Sequence, residues 1–183
     1  RNTENKLWGW ADKGESVSVF LNGKLQGNTV TEENDWSIQL ASMPAGGPHT
    51  LEVKGRNSIT LSNVMFGDVW VASGQSNMQT TMQRTAEMFP NAIAEANHPN
   101  LRQFTVPRTM GFKGPEKDFT NGQWQPTTPT TVGQHSAVAY YFGRKIMQKE
   151  NVPIGILSSN FGGSPAECWL SEEALKKYPE RLN

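Results

Sequence analysis

The chain has little of several features that would point to broad classes of protein. Its one cysteine, Cys168, can form no disulfide within the chain, which removes one pointer to the cell exterior without excluding secretion. No apolar run approaches the roughly 20 residues that a membrane-spanning helix needs. The 17 basic and 17 acidic residues cancel, so bulk charge favours neither a nucleic acid nor a membrane as partner. These absences leave a globular chain of one domain or two small ones.

Metal-binding and glycosylation signals are also missing. The sequence contains no pair of cysteines and no histidines at ligand spacing, so it predicts no metal site. It contains no Asn-x-Ser/Thr sequon, which favours a bacterial source over one that glycosylates the protein.

Residues 1–66 show the alternation that is typical of β-strands with one buried face. The alternating apolar residues are Val17, Val19 and Leu21, then Trp36, Ile38 and Leu40, then Leu51 and Val53, then Ile59 and Leu61. Asn22-Gly23 predicts a hairpin turn, and Ala45-Gly46-Gly47-Pro48 predicts another turn. Short strands at this spacing predict a small β-sandwich as the first domain.

From residue 67 the pattern changes to strands that alternate with helices, so residues 67–183 are predicted to form a second, α/β domain. Apolar runs predict buried strands, and helical spacing predicts two short helices from Asn77 to Ala96 and a longer one later. The strands are predicted at Val69–Ser73, Leu101–Val106 and Val152–Ser158, and the longer helix at Ser136–Lys149 with Val138 and Phe142 in its apolar stripe. This order predicts a parallel sheet covered by helices.

Two further segments carry predictions about loops and caps. Residues 107–132 are rich in Pro, Gly and Thr, which predicts a long loop of the kind that often forms a binding rim. Within it, Trp124 could stack on a sugar ring or could belong to the core. Ser171 is predicted to cap a last helix.

Gly74-Gln75-Ser76-Asn77-Met78 is the most informative stretch, because it follows the Val69–Ser73 strand directly. A serine at a strand-to-helix turn presents its hydroxyl at the carboxyl edge of the sheet, where α/β enzymes keep their chemistry. The helix N-terminus beside it could stabilise an oxyanion. From these residues alone, Ser76 is either a nucleophile or a helix cap, and Gln75 either donates a hydrogen bond into the site or is a turn residue.

Ser164 is a rival nucleophile, because Gly162-Gly163-Ser164-Pro165-Ala166 imitates the Gly-x-Ser-x-Gly elbow. The residue after an elbow serine donates its N–H to the oxyanion, and Pro165 has no N–H. We therefore reject Ser164. Gly162-Gly163 either is a tight turn or turns a backbone N–H toward the oxyanion, with Gly163 preferred over Gly162.

A serine nucleophile needs a base, and the chain has three histidines. His49 follows a turn in the β region and is predicted to be structural. His98 is predicted to be a surface residue at a helix end. His135 precedes the Ser136–Lys149 helix and could contact substrate from a rim. None of them follows an aspartate by three residues.

The chain resembles a known family in five blocks that occur in the family's order. Gly67–Gln79 looks like the nucleophile block of the sialate O-acetylesterases, carbohydrate esterases within the SGNH (GDSL-like) hydrolases, and Pro153–Trp169 resembles the glycine block of that family. Weaker matches are Leu7–Ala11, Ala45–Pro48 and Ser136–Arg144.

The resemblance implies hydrolysis of O-acetyl esters on carbohydrate without a cofactor. The leading candidate substrate is O-acetylated sialic acid, and the next candidate is an acetylated plant polysaccharide. It implies that Ser76 is the nucleophile, which attacks the ester carbonyl. It also implies that the backbone N–H groups of Ser76 and Gly163 hold the oxyanion. The family's Asp-x-x-His block and its Gly-Glu-Ser-Asn-like block are missing, so we expect an incomplete SGNH domain whose His and Asp lie outside this chain. The expected location is the bacterial periplasm or exterior, or the lysosome or exterior if the source is eukaryotic. The alternative is a carbohydrate-binding or structural module that has no catalytic activity.

Overall fold

The computed structural model describes residues 1–109, 114, 116–119 and 121–181, and it shows a mixed α/β chain dominated by strands. The strands are β1 Asn5–Trp10, β2 Ser16–Leu21, β3 Lys24–Val30, β4 Asp35–Leu40, β5 Gly46–Lys54, β6 Ser58–Phe66, β7 Asp68–Gly74, β8 His98–Thr105, β9 Trp124–Thr127 and β10 Ile154–Asn160. The α-helices are α1 Ser76–Gln79, α2 Ala137–Glu150 and α3 Glu172–Leu175, and the longest 3-10 helices are Met82–Thr85 and Ala166–Trp169.

The chain divides into two compact units. The first is Arg1–Val69 with Ile146–Gly155, and the second is Trp70–Lys145 with the residues from Ile156 onward. The division passes through β7, α2 and β10. The predicted boundary after residue 66 is not tested by this division and stays a prediction.

The first unit holds an antiparallel sheet of order β3-β2-β5-β6 and the antiparallel pair β1-β4. The predicted alternation is confirmed in β2 and β4, whose inward residues are buried. Asn22 and Gly23, both with positive φ, join β2 to β3 as the predicted hairpin turn. The shared core is Val17, Val19, Leu21, Trp36, Ile38, Leu40, Leu51 and Phe66. Burial of these side chains is the main force that holds this unit together.

The turn predicted at Ala45–Pro48 is wrong from Gly46 onward. Gly46 already belongs to β5 and pairs with Phe66, and the register of the β5-β6 ladder shifts between Gly46 and His49. The two glycines therefore accommodate a bulge within a continuing strand instead of reversing the chain.

The second unit contains most of a four-stranded sheet of order β7-β10-β8-β9. The Asp68 N–H donates to the Pro153 carbonyl at 3.0 Å, and the Phe161 N–H donates to the Gly74 carbonyl at 3.0 Å, so β7 and β10 run in the same direction. β9 is antiparallel to β8, with Trp124 opposite Phe104. The expectation of one long loop over residues 107–132 is therefore wrong at β9, and the sheet is not wholly parallel.

β7 was expected to be a buried strand, and this expectation is wrong. Only Ala72 is buried, whereas Val69, Trp70 and Val71 are 61%, 43% and 69% exposed. β7 lies at the edge of its sheet within the described part of the chain. Trp70 packs edge-on against Phe142 with ring centroids 5.2 Å apart, but the described residues leave most of these three side chains uncovered. A run of apolar residues alone does not distinguish a central strand from such an edge.

The helix at Ser136–Lys149 is confirmed as α2, but its buried face is not the predicted apolar stripe. Val138 and Phe142 are half exposed, and the buried residues are Ala137, Ala139, Tyr140 and Gly143. A Cβ added at Gly143 would lie 2.7 Å from Leu101 Cδ1, so the glycine permits close packing against β8. Three of the four buried residues are small, so close approach to the sheet, and not only large apolar side chains, decides which face of this helix is buried.

The two short helices expected between Asn77 and Ala96 are wrong in extent. The segment forms only α1 and the 3-10 helix Met82–Thr85 before a series of turns. Thr80 and Thr81 leave helical geometry because they pair with the start of α2. Ala137 N–H donates to the Thr80 carbonyl at 2.8 Å, and Thr81 forms a β-bridge with Ser136.

Candidate active site

Ser76 occupies the predicted strand-to-helix turn. Gly74 ends β7 with φ +147°, Gln75 is the N-cap, and Ser76 is the first residue of α1. The Ser76 side chain is exposed, and its Oγ makes no hydrogen bond with any described residue. α1 has only 4 residues, so its dipole is small, and the unpaired N–H groups of its first turn carry the local positive potential.

The Ser76 turn is fixed in place by the start of α2. Met82 N–H donates to the His135 carbonyl at 2.9 Å, and Ser136 Oγ donates to Met78 Sδ at 3.6 Å. Together with the Thr80–Ala137 hydrogen bond, these contacts hold both ends of the short segment that follows Ser76. They position an exposed serine on a backbone that is itself anchored.

The turn after β10 lies beside Ser76, as its backbone N–H groups show. Phe161 N–H donates to the Gly74 carbonyl, and Gly162 N–H donates to Gln79 Oε1 at 2.6 Å. Ser164 N–H donates back to the Phe161 carbonyl at 3.3 Å. Of the four successive N–H groups from 161 to 164, only that of Gly163 has no partner among the described residues.

The two glycines of this turn are required for different reasons. A Cβ added at Gly162 would lie 2.6 Å from Gln79 Oε1 and 3.6 Å from Ser76 Cα, so Gly162 permits a close approach to α1. Gly163 has φ +81°, and an added Cβ would meet no atom within 4 Å. Gly163 therefore needs its backbone conformation, whereas Gly162 needs the space.

Ser164, the rejected rival, is 5% exposed and its hydroxyl is fully used. Its Oγ donates to the Phe161 carbonyl at 2.6 Å and accepts from Trp169 Nε1 at 2.9 Å. A hydroxyl held in this way stabilises the turn, and it is not presented to an ester.

The three histidines lie in different environments. His135 is 3% exposed, so the expected rim position is wrong, and burial lowers the pKa of its ring to about 4. Its Nε2 has no hydrogen-bond partner among the described residues. A substrate contact by His135 stays a prediction, which this burial disfavours.

His49 is held by Asn22 at 2.9 Å and packs edge-on against Phe66 with ring centroids 5.3 Å apart, in agreement with a structural role. His98 begins β8 instead of ending a helix, and desolvation together with the Arg144 charge lowers the pKa of its ring. Neither histidine makes a hydrogen bond to Ser76.

The other predicted contributors lie on the surface. Gln75 is exposed, and its side chain makes no capping hydrogen bond, so its amide is available to the site. Trp124 is 43% exposed on β9 and packs on Phe104 with ring centroids 5.7 Å apart. Across the residues that the structure describes, no group of three or more acidic, histidine or cysteine side chains could hold a metal ion, and no helix is long and apolar enough to cross a bilayer.

Each of the two units contains a surface groove. One of about 710 Å³ in the first unit is lined by Trp8, Trp10 and Arg56, and one of about 680 Å³ in the second unit is lined by Phe89 and Tyr141. Ser76 is not among the residues that line either groove.

Gln79 is a site residue that the sequence analysis missed. It lies three residues after Ser76, so it shares a face of α1 with the serine. This spacing is the feature of the sequence that could have indicated a role for Gln79 near Ser76. A glutamine at such a position is common on solvent-facing helices, and only the contact with Gly162 distinguishes it.

Comparison with known proteins places this geometry in context. No protein-family model matches the chain. The chain is 32% identical to the sialate O-acetylesterase of Rattus norvegicus and 30% identical to that of Homo sapiens, in each case over 93% of its length. It also matches the crystal structure of a carbohydrate acetylesterase from Xanthomonas citri, with a TM-score of 0.90 and 34% identity over 97% of this chain and 41% of that one. The chain belongs to the sialate O-acetylesterase family.

The chain spans about a third of the length of the curated sialate O-acetylesterases that it matches, 34% of the rat protein and 36% of the human one. The Gly67–Gln79 and Pro153–Trp169 blocks that suggested the sialate O-acetylesterases are the segments that meet around Ser76, through Gly74–Phe161 and Gln79–Gly162.

Proposed function

We propose that this chain is the part of a carbohydrate O-acetylesterase that carries the nucleophile, Ser76. The observation that carries this proposal is that Ser76 is exposed at a strand-to-helix turn, with an Oγ that makes no hydrogen bond among the described residues. A second turn lies next to it and has a free N–H at Gly163. The chain is also a relative of acetylesterases. Ser76 Oγ attacks the acetyl carbonyl as its proton passes to the base, and the ester C–O bond breaks so that the sugar hydroxyl leaves with that proton. Water then hydrolyses the acyl-serine, which releases acetate and restores the Ser76 hydroxyl.

The oxyanion in this mechanism is held by the backbone N–H groups of Ser76 and Gly163. The pairing of Gly162 N–H with Gln79 Oε1 supports Gly163 over Gly162 as the second donor, because a donor that is already bonded cannot serve the oxyanion. Gln75 contributes its free side-chain amide to the substrate.

A His–Asp pair outside this chain acts as base and orienting group in the proposal. Among the described residues, no histidine is hydrogen-bonded to Ser76, and His135 is buried. Residues 1–66 form a β-sandwich accessory domain and residues 67–183 the first part of an SGNH domain. The substrate is an O-acetylated sugar, with sialic acid as the leading candidate and acetylated plant polysaccharide as the next. The protein acts in the periplasm or outside the cell.

The test is Ser76→Ala in the full-length protein with an aryl acetate as substrate. We expect kcat to fall about 10³-fold or more, as for other nucleophile deletions. The unfolding midpoint should not change, because Ser76 Oγ makes no hydrogen bond among the described residues. Retention of most activity in Ser76→Ala, combined with its loss in Ser164→Ala, would reverse the assignment.

The isolated 183 residues should be a poor esterase, because general-base help is worth roughly 10²–10⁴ in rate. Restoring a segment with the missing His and Asp should restore turnover. Robust turnover without it would show that a histidine of this chain serves as base, and His98 and His135 would be mutated first.

A carbohydrate-binding module without chemistry is the alternative, and the exposed pair Trp8 and Trp10 favours it. These side chains are 46% and 58% exposed with ring centroids 5.2 Å apart, and aromatic faces of this kind can stack on sugar rings. The open reading frame decides between the two. An Asp-x-x-His block after residue 183 means an enzyme, and its absence means a binding module.

A further inference from the structure

Gln79 joins the nucleophile helix to the glycine turn. Its Oε1 accepts a hydrogen bond from the N–H of Gly162 at 2.6 Å, across 83 residues of sequence. Gln79 is the last residue of α1 and is partly buried, so its side chain is held between the helix and the turn. It is the side chain that ties this turn to the helix on which Ser76 lies.

A second contact ties the same turn at the other side of Ser76. The Phe161 N–H donates to the Gly74 carbonyl at 3.0 Å. The two anchors, Gly74 and Gln79, bracket Ser76 in sequence, and they bind consecutive N–H groups of the turn. Once Phe161 and Gly162 are held in this way, the position of the next peptide, with the free Gly163 N–H, is largely determined.

We propose that Gln79 is a positioning residue that aims the Gly163 N–H at the developing oxyanion. This inference rests on the proposed function, and it assigns Gly162 a new role. Gly162 is glycine because a Cβ would lie 2.6 Å from Gln79 Oε1 and displace the amide, and not because its own N–H binds substrate. Gln79 and Gly162 therefore act as one unit.

The substitutions separate the hydrogen bond from simple packing. Gln79→Met has a side chain of nearly the same length with only a weak acceptor. Gly162→Ala leaves Gln79 in place but pushes its amide away. Gln79→Glu keeps an acceptor but places a negative charge near the oxyanion. Gln83→Met is the matched control, because Gln83 is exposed in the next turn and its side chain makes no hydrogen bond with a described residue.

The first measurement does not depend on activity. Amide hydrogen exchange in the full-length protein, read by NMR, should show the Gly162 N–H protected in the wild type, Gln79→Glu and Gln83→Met. The protection should be lost in Gln79→Met. Unchanged protection in Gln79→Met would overturn the proposal, whatever the enzyme does.

The second measurement is kinetic. Gln79→Met and Gly162→Ala should each lower kcat for an acetyl ester about ten- to a hundredfold with KM nearly unchanged, since a displaced donor weakens only the transition state. The double variant should be no slower than the worse single variant, because both changes break one contact. Gln79→Glu should recover the exchange protection but only part of kcat.

The outcomes separate this proposal from the proposed function. Loss of Gly162 protection with kcat unchanged, or additive effects in the double variant, would overturn the positioning role while Ser76→Ala still tests the nucleophile. A wild-type protein that hydrolyses no acetyl ester would overturn both.

Discussion

Gly163→Ala tests whether the Gly163 N–H is an oxyanion donor. The structure allows us to estimate how much the substitution lowers the free energy of unfolding and kcat. An added Cβ meets no atom within 4 Å, so the substitution causes no clash, and the cost comes from the backbone at φ +81°. A left-handed conformation costs an L-residue about 1–2 kcal/mol. For 150–250 residues that unfold as one unit, each kcal/mol lowers the unfolding midpoint by about 2–4 °C, and a longer protein that unfolds cooperatively shifts by less. If the turn relaxes instead, the 162–163 peptide rotates and its N–H leaves the oxyanion. Loss of one donor costs about 3 kcal/mol, or roughly a hundredfold in kcat.

The assay compares Gly163→Ala with Gly14→Ala in the full-length protein. Gly14 has φ +78° and equally open surroundings, but it lies in the turn between β1 and β2, so it should show a similar midpoint loss with normal kcat. Midpoints by calorimetry and steady-state rates on an aryl acetate give both quantities. If kcat is the same in the two variants, Gly163 does not hold the oxyanion and the Gly162-Gly163 pair is only a turn.

The remaining predictions concern Ser164 and His135. Ser164→Ala should keep kcat but lower the free energy of unfolding by about 1–3 kcal/mol, because Phe161 and Trp169 lose their partner; a chemical denaturation curve checks this, and a lost kcat would contradict it. His135 has a ring pKa lowered from 6.5 to about 4 in the folded state, so the unfolded chain takes up the proton first as the pH falls. The free energy of unfolding should therefore decrease by up to about 3 kcal/mol between the unfolded and folded pKa values. Urea unfolding of His135→Gln at about pH 7 and about pH 4.5 should show a smaller decrease than the wild type, and equal decreases would contradict the effect of burial.

The sequence predicts those features that depend on local chemistry. β2 and β4 follow from strict alternation, the hairpin at Asn22-Gly23 follows from its turn residues, and the Ser171 cap is confirmed by its bond to the Ala174 N–H at 3.2 Å. The strand-to-helix turn at Ser76 is also local, because Gly74 ends β7 and helical geometry begins two residues later.

Several of the failures involve partners that are distant in sequence. Thr80 and Thr81 leave the helix because α2 offers them backbone pairing, and Trp124 joins β8 as a strand that no pattern within residues 107–132 announces. The importance of Gln79 is likewise invisible until the turn at Gly162 lies against it. Rules for local propensity contain no term for such contacts, and tertiary pairing overrides them.

The exposed edge strand β7 has a practical consequence for handling the protein. A strand edge with unpaired backbone groups is a template for pairing with another chain, and natural proteins usually protect such edges with charge or proline. β7 has neither at its centre, and Val69 and Val71 face solvent. When these 183 residues are produced by themselves, we therefore expect aggregation through this edge. The strand that delivers Ser76 to the surface is also the one through which copies of the chain would associate into aggregates.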